Sequence, residues 1–519
     1  MKMFKTIIIT IALGVAVASC DLTEEPTFLS EESAYSSLTN AKATLDGTYA
    51  AFAAYGYFGY DFIYSSFGAS GFFVSGKGNS NTHPDNENLC SLDPLNASPA
   101  TENPWKDIYK SIERANGIIN NMEVYENPET NTQQSWNNVI GHGYFIRAFD
   151  YFNLVRLWGE VPLRLEVTTP DNIHIPKSTT DVIYQQILDD IAMAKKLMFP
   201  HGLEQNGLPA AEAASMLEAK VYMTMATTDD AVPVKDPAVC WQKAYDAAKE
   251  VYGKYRLVSD YGSLFEENSS DGTPENIFEI QFNDVVKSNH GKIFTASKAV
   301  LSQTWGRLRI NGELVDIHYS LYPNDYIRLK QTFKSTWVDI KGKTQKVYPV
   351  DDKRKTFAKG FPYVFKHWQK NKMATTAYYM KNFIVYRYAD LLLMLAEISN
   401  ELQNGEEFGY VNEVLARVGL STDDFVPNAD FGADYNGGQE GFRNAIMLEY
   451  RTELLGEGHD WFNNRRRGYD YFKHTVIDAH NNWSKFDSKI DVTLKDDPAI
   501  VMHFKIPLTE INRNNEIND

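Results

Sequence analysis

The chain has 519 residues, 43% of them hydrophobic, so it can bury a large core, and its length alone allows about two to four domains. Acidic residues outnumber basic ones, 68 to 51, for a formal charge of -17, which argues against a nucleic-acid partner. Thirty tyrosines, 29 phenylalanines and 9 tryptophans are enough either to build a ring-rich core or to line a face that binds sugars or another protein.

Lys2 and Lys5 precede an apolar stretch from Ile7 to Ala18, which closes on Val17-Ala18-Ser19-Cys20. A charged start, about 12 apolar residues and a small-residue exit read as an export signal, too short to span a bilayer. No later run reaches the roughly 18 apolar residues that a membrane-spanning helix needs. The last four residues resemble the lipobox of bacterial lipoproteins, which implies cleavage before Cys20 and acylation of its thiol and new amine. Two or three acyl chains, at roughly 0.8 kcal/mol per methylene, hold a protein on a membrane where one chain lets go. Residues 1–19 are thus expected to be a signal peptide and residues 20–32 a lipidated tether. Its Asp21, Glu24 and Glu25 resemble the acidic residues that follow the cysteine in surface-exposed lipoproteins of Bacteroidetes-type bacteria. Cys90 and Cys240 remain, either as one disulfide or as two buried thiols.

Ser33 to Tyr57 is rich in helix formers, whereas Gly59 to Thr101 mixes Phe62, Tyr64, Phe67, Phe72 and Phe73 with many Gly, Ser and Asn and reads as loop with short extended pieces. Asn103-Pro104 predicts a helix start, and Trp105, Ile108, Ile112, Ala115 and Ile119 continue it as a core stripe. Gln133 to Leu157 predicts a buried helix in which Arg147 and Asp150 must find partners, in each other or in neighbouring helices. Helices over Thr179–Met198, Ala210–Ala226 and Cys240–Tyr255 follow, the last two with alanines where antiparallel helices approach closely. From Ser259 to Lys381 helical periodicity largely fails, apart from a strand-like Asn276–Phe282. Tyr388, Leu391, Leu395, Ile398 and Leu402 restore a helical stripe, and about Tyr410–Val418 can complete a hairpin with it. An irregular Ser421–Glu440 leads into a helix over about Gly441–Leu455.

Motifs for chemistry are missing: there is no HExxH pair, no Cys/His ligand spacing, no nucleophile elbow and no phosphate loop. The doublets Asp189-Asp190 and Asp351-Asp352 read as solvated surface, because adjacent side chains diverge and cannot flank a bond. Asp430, Asp434, Asn436 and Glu440 could hold structural calcium, but their spacing misses the known twelve-residue loop, and otherwise no metal or cofactor is expected. Arg465, Arg466 and Arg467 read as internal ion-pairing groups.

Several separate stretches resemble the SusD/RagB family of Bacteroidetes nutrient-binding outer-membrane lipoproteins. They are Arg147-Ala148-Phe149 through Leu154–Leu163, Ala210–Tyr222, Ala244–Leu257, Tyr261–Phe265, Arg387–Glu397, Val411-Asn412, Arg417–Leu420, Glu449–His459 with Trp461-Phe462, and Ile506-Pro507 with Glu510–Asn512. Tyr450 and Asp460 stand where the family usually has arginine, Asn463 where it has aspartate, and the family's usual close is absent from the end. The resemblance implies a mainly α fold: tetratricopeptide-like helical hairpins forming a superhelical scaffold, with large irregular loop and short-strand insertions. The expected single domain is 33–519, with its scaffold at about 33–255 and 382–470 and ligand-face excursions at about 59–101, 259–381 and 421–440.

The same resemblance implies a non-catalytic binding protein on the cell exterior, lipid-anchored to the outer membrane, that captures oligosaccharides for a SusC-like TonB-dependent transporter. Peptide or glycopeptide capture of the RagB type is the alternative. A glycan hydrolase, which needs two opposed carboxylates, ranks behind both. Sugars are held by aromatic faces and by amide, carboxylate or guanidinium hydrogen bonds. The ligand-contact candidates on the excursions are therefore Phe72, Phe73, His83 and Asn86 from the first and Trp305, Arg307, Tyr322 and Trp337 from the second.

Overall fold

The computed structural model describes residues 31–75, 85–205, 207–266, 271–283, 285–299, 304–347, 360–370 and 378–517. Cys20, His83 and the Asp351-Asp352 doublet lie outside these residues.

The architecture is mainly α-helical. Ten helices carry it: α1 (Leu38–Tyr49), α2 (Asp61–Gly68), α3 (Pro99–Asn121), α4 (Asn131–Trp158), α5 (Thr180–Leu197), α6 (Ala211–Met225), α7 (Pro237–Val251), α8 (Tyr388–Leu402), α9 (Glu407–Ala416) and α10 (Gly438–Leu454). From α3 to α9 each helix packs on the next in chain order, as in a helical solenoid, and α10 closes on α8. Starts are encoded locally. Thr130 and Gln133 form a reciprocal capping box on α4, and Asp236 caps α7 through the Ala238 N–H ahead of Pro237 in its first turn. Small residues set the spacing where α6 meets α7: Ala213, Ala214, Ala244, Ala247 and Ala248 are all buried.

Between α7 and α8 the chain leaves the solenoid and returns through a two-stranded antiparallel pairing of Asn276–Ile280 with Phe383–Arg387. The middle insertion carries short helices, including Gly312–Leu321 and Tyr326–Thr332, and a small hairpin, Thr336–Val338 with Thr344–Lys346. One continuous apolar cluster runs from Ala41 to Phe504, drawing on the solenoid and both larger excursions.

An ionic network threads this core. Arg387, at the start of α8, pairs with Glu275, Glu453 and Glu457, while Arg417 joins Glu275 and Glu453. Arg328 pairs with Asp325 and Glu449, and Tyr322 donates its hydroxyl to Glu449 at 2.7 Å. Arg466 forms a two-pronged pair with Glu397. Removing one member of such a buried set strands the others as uncompensated charges.

Several expectations are corrected. The helix foreseen over 33–57 stops at Tyr49, and an irregular turn, Tyr55–Gly59, leads into α2. Within 59–101 the described residues, 59–75 and 85–101, include a helix that was not foreseen, α2. All eight residues of α2 are buried, so no amphipathic period could mark it, and its serines satisfy themselves locally, Ser66 Oγ donating to the Phe62 carbonyl. Helix α3 starts a turn before Asn103, on Ser98-Pro99, which is the same cap-then-proline signal. Asn103 spends its side chain on Asp61, and Pro104 is accommodated inside the helix.

Arg147 and Asp150 do not pair with each other. Arg147 reaches Asp190 on α5, and Asp150 accepts from the Tyr57 hydroxyl. Asp190 is therefore a buried partner and not solvated surface, whereas Asp189 is exposed. Arg466 and Arg467 pair internally with carboxylates, but Arg465 donates to the carbonyls of Val501 and Ala69 and lies over Trp461 and Phe472. Cys90 and Cys240 are separate buried thiols. Asp434 uses its carboxylate on the Asn436 N–H, and among the described residues no group of three or more His, Cys, Asp or Glu could hold a metal ion.

Candidate functional site

The two larger excursions meet at one face. Strand Phe73–Val74 pairs antiparallel with Arg309–Ile310, which brings the turn before α2 against the segment that carries Trp305 and Arg307. Two glycines allow the fit. A Cβ on Gly56 would lie 2.5 Å from Asp107 Oδ2 and 2.7 Å from the Asn103 carbonyl oxygen, so the turn rests directly on α3. Gly306 has φ +55°, and a Cβ there would lie 2.7 Å from the Tyr363 ring.

Tyr55, Tyr60 and Tyr64 form a ladder of rings. Tyr55 and Tyr60 stack at 4.9 Å between centroids, and Tyr60 and Tyr64 at 5.5 Å with an interplanar angle of 7°. The Trp305 indole stands edge-on to Tyr60 at 5.7 Å. The Arg307 guanidinium lies 4.4 Å from the Trp305 ring centroid and donates to the Tyr60 hydroxyl oxygen. Lys292 lies on the same indole at 5.1 Å and on Tyr378 at 3.5 Å. Tyr55 and Tyr378 are the open rings, 52% and 39% exposed, and Trp305 is half-buried.

Beneath the ladder is a cavity of about 220 Å³ lined by Tyr55, Tyr60, Asp61, Asn86, Asn103 and Arg307, among others. Asn86 accepts from the Tyr64 hydroxyl through Oδ1. Its Nδ2 is buried with no hydrogen-bond partner among the described residues. Asp61 accepts from Asn103 Nδ2 at 2.8 Å. Burial pushes its carboxyl up to about 7, against the lowering by that hydrogen bond and by Arg307, while neighbouring Asp107 raises it further. Asp107 is itself fixed by the Gly56 N–H at 2.9 Å.

Of the eight ligand-contact candidates, Arg307, Asn86 and Trp305 come together here. Phe72 and Phe73, 2% and 0% exposed, are core rings: small neighbours let this segment tuck inside, and Arg451 lies over Phe72. Tyr322 is also fully buried, its hydroxyl committed to Glu449. Trp337 is half-buried in a separate cluster, edge-on to Tyr363 and Trp368 at 5.4 Å each, and anchors the small hairpin. Sequence reasoning missed Tyr55, Tyr60, Asp61, Lys292 and Tyr378. A usable signal existed in the Tyr55-Gly56-Tyr57-Phe58-Gly59-Tyr60 run, where glycines break a helix among closely spaced rings.

A larger polar cleft of about 770 Å³, lined by Glu204, Arg256, Asp271, Glu279 and Asn382 among others, has its rings, Tyr255, Phe278 and Phe282, buried. Among the described residues it offers no open Tyr, Phe or Trp ring.

Comparison with known proteins agrees with this architecture. Residues 274–519 match the model of the SusD family, and residues 27–223 match a second model described as starch-binding associating with outer membrane. Among curated relatives, the SusD-like protein P2 of Formosa agariphila is 26% identical, over 95% of this chain and 96% of its own. A SusD superfamily protein of Parabacteroides distasonis superposes with a TM-score of 0.73 at 21% identity, covering 92% of this chain and 98% of that one. A laminarin-binding SusD-like protein gives 0.69 at 20% identity, covering 92% and 98%. These likenesses define a helical outer-membrane nutrient-binding class. The chain belongs to the SusD/RagB family.

Proposed function

We infer that this protein is a non-catalytic capture protein that holds oligosaccharides on the Tyr55–Trp305–Arg307 face and passes them to a SusC-like TonB-dependent transporter. The observation that carries the reading is the ring ladder itself. Open rings at Tyr55 and Tyr378 and the half-buried Trp305 surround a guanidinium and an unpaired amide donor. Aromatic faces cover the C–H surface of a sugar, and the donors fix its hydroxyls. The cavity under the rings has room for about one sugar unit, so the remainder of a longer chain would lie across Tyr55 and Tyr378. Family membership supports the transporter partnership, and one structural relative is described as laminarin-binding.

The Val17–Cys20 motif supports a lipid anchor at Cys20, which would keep the capture face on the cell exterior at the outer membrane. A peptide ligand would be better served by a free strand edge, and the strand at this site, Phe73–Val74, is buried and already paired.

Calorimetric titration of the purified mature protein against a panel of oligosaccharides tests the reading. Binding to at least one glycan should fall at least about tenfold in Trp305→Ala with an unchanged melting temperature, as loss of a ring contact requires. Binding that survives in that variant, or a panel bound by none, would overturn it.

A further inference from the structure

We propose that the captured glycan is acidic, and that Arg307 and Lys292, which both lie against Trp305, receive its carboxylate or sulfate group. The inference rests on the capture face described above and narrows its ligand class.

Three observations carry it. Arg307 and Lys292 both lie on the Trp305 ring, at 4.4 and 5.1 Å, and among the described residues neither has a carboxylate within ion-pair distance. The hydrogen bond of Arg307 goes to the neutral Tyr60 hydroxyl. Lys292 is only 6% exposed, and among the described residues its ammonium has no hydrogen-bond acceptor.

Most buried cations of the protein are compensated otherwise, Arg451 apart, whose Nε and Nη1 have no partner among the described residues. Arg147, Arg387 and Arg466 have carboxylates, while Lys381 and Arg465, which do not, donate hydrogen bonds to the backbone carbonyls of Leu264, Val501 and Ala69. Ring faces stabilise a cation but do not replace an anionic partner. Two such charges at one face of a chain with formal charge -17 run against its overall field.

The third observation is the unpaired Asn86 Nδ2 inside the adjoining cavity. Together these groups supply guanidinium, ammonium and amide donors, a set suited to an acceptor-only group. The nearby acid, Asp61, is pushed up to about 7 by burial and cancels only part of the positive charge. A carboxylate or sulfate ester on a sugar ring satisfies the donors while its ring covers Trp305.

The test is titration of the purified mature protein with four probes: oligogalacturonate, the same oligomer after reduction of its carboxyl groups, a sulfated galactan oligosaccharide, and a neutral laminari-oligosaccharide. At least one charged probe should bind about tenfold or more tighter than its neutral counterpart, and the two charged arms distinguish carboxylate from sulfate. The preference should shrink as salt is raised from 50 to 500 mM and should collapse in Arg307→Gln and Lys292→Gln. The salt series on the unaltered protein keeps the test valid if a variant fails to fold. Equal binding of charged and neutral probes, or binding of the neutral ones alone through Trp305, would overturn the acidic assignment and leave glycan capture standing. Failure of all four, with binding to a peptide library instead, would overturn both.

Discussion

Arg387 and Glu457 meet through two parallel hydrogen bonds, Nε to Oε2 at 2.6 Å and Nη2 to Oε1 at 2.9 Å, with both side chains buried. The pair joins the start of α8 to the turn after α10, and Lys366 from the middle insertion adds a second cation to Glu457 at 2.7 Å. Burial by itself would raise the Glu457 carboxyl, but Arg387 and Lys366 outweigh it and hold it well below the usual carboxylate range.

Arg387→Met should therefore destabilise the protein by about 3–5 kcal/mol, since Glu275, Glu453 and Glu457 lose a shared cation. Urea unfolding curves measure this as a lower midpoint. The depressed Glu457 also sets a direction with pH. Its contribution is complete above the ordinary glutamate pKa of about 4.5 and is lost as pH falls toward its folded-state value. Glu457→Gln should flatten the acid limb of the stability curve.

Asp61 predicts the opposite slope. Its folded-state pKa is raised from 3.8 to about 7, so the folded protein keeps a proton that the unfolded chain has released. Stability from this group is fully present below pH 3.8 and falls until the pH passes about 7, by at most about 4 kcal/mol. Asp107 and Arg307 face the same carboxyl and modulate it. In Asp61→Asn the fall between pH 4.5 and 7.5 should be reduced, as read from melting temperatures across that range; an unchanged slope would contradict the assignment.

Trp305 and Trp337 should behave differently although both are half-buried indoles in the middle insertion. Trp305→Ala removes a ring from the proposed ligand face and should cost affinity. Trp337→Ala removes the ring packed on Tyr363 and Trp368 and should loosen the hairpin at Thr336–Lys346. The expected cost of the latter is below the roughly 3–5 kcal/mol of a fully buried tryptophan. Faster proteolytic cleavage within residues 339–343, with ligand affinity retained, would show it.

The helical pairs were legible because α3 and α6 to α8 carry apolar or small-residue positions at helical spacing, and the signature around Arg387–Glu397 gave the family directly. Those signature charges prove to be core ion pairs, so they speak of the scaffold and not of the ligand. The candidate ligand face was only partly legible. Rings such as Phe72, Phe73 and Tyr322 look the same in a sequence whether they point inward or outward, and a helix buried on every side, like α2, has no period to detect. Arg307, Asn86 and Trp305 could be named, but their convergence depends on a two-residue strand pairing between segments more than 200 positions apart, which no local pattern encodes.

Membrane attachment can be checked separately. Cys20→Ser should abolish incorporation of a labelled fatty acid and release the protein from the outer-membrane fraction, because a hydroxyl is a poor acceptor for the lipid. The other two cysteines are separate buried thiols, so dithiothreitol should leave the melting temperature unchanged.

The bond between Phe73–Val74 and Arg309–Ile310 has an implication for export. Since the proposed capture face is built in part by a segment synthesised long after the rest, an incompletely closed chain would lack the face on which capture is proposed to depend. Retention on a glycan column would then serve as a conformational assay, sorting finished molecules from unfinished ones without any antibody or spectroscopic probe.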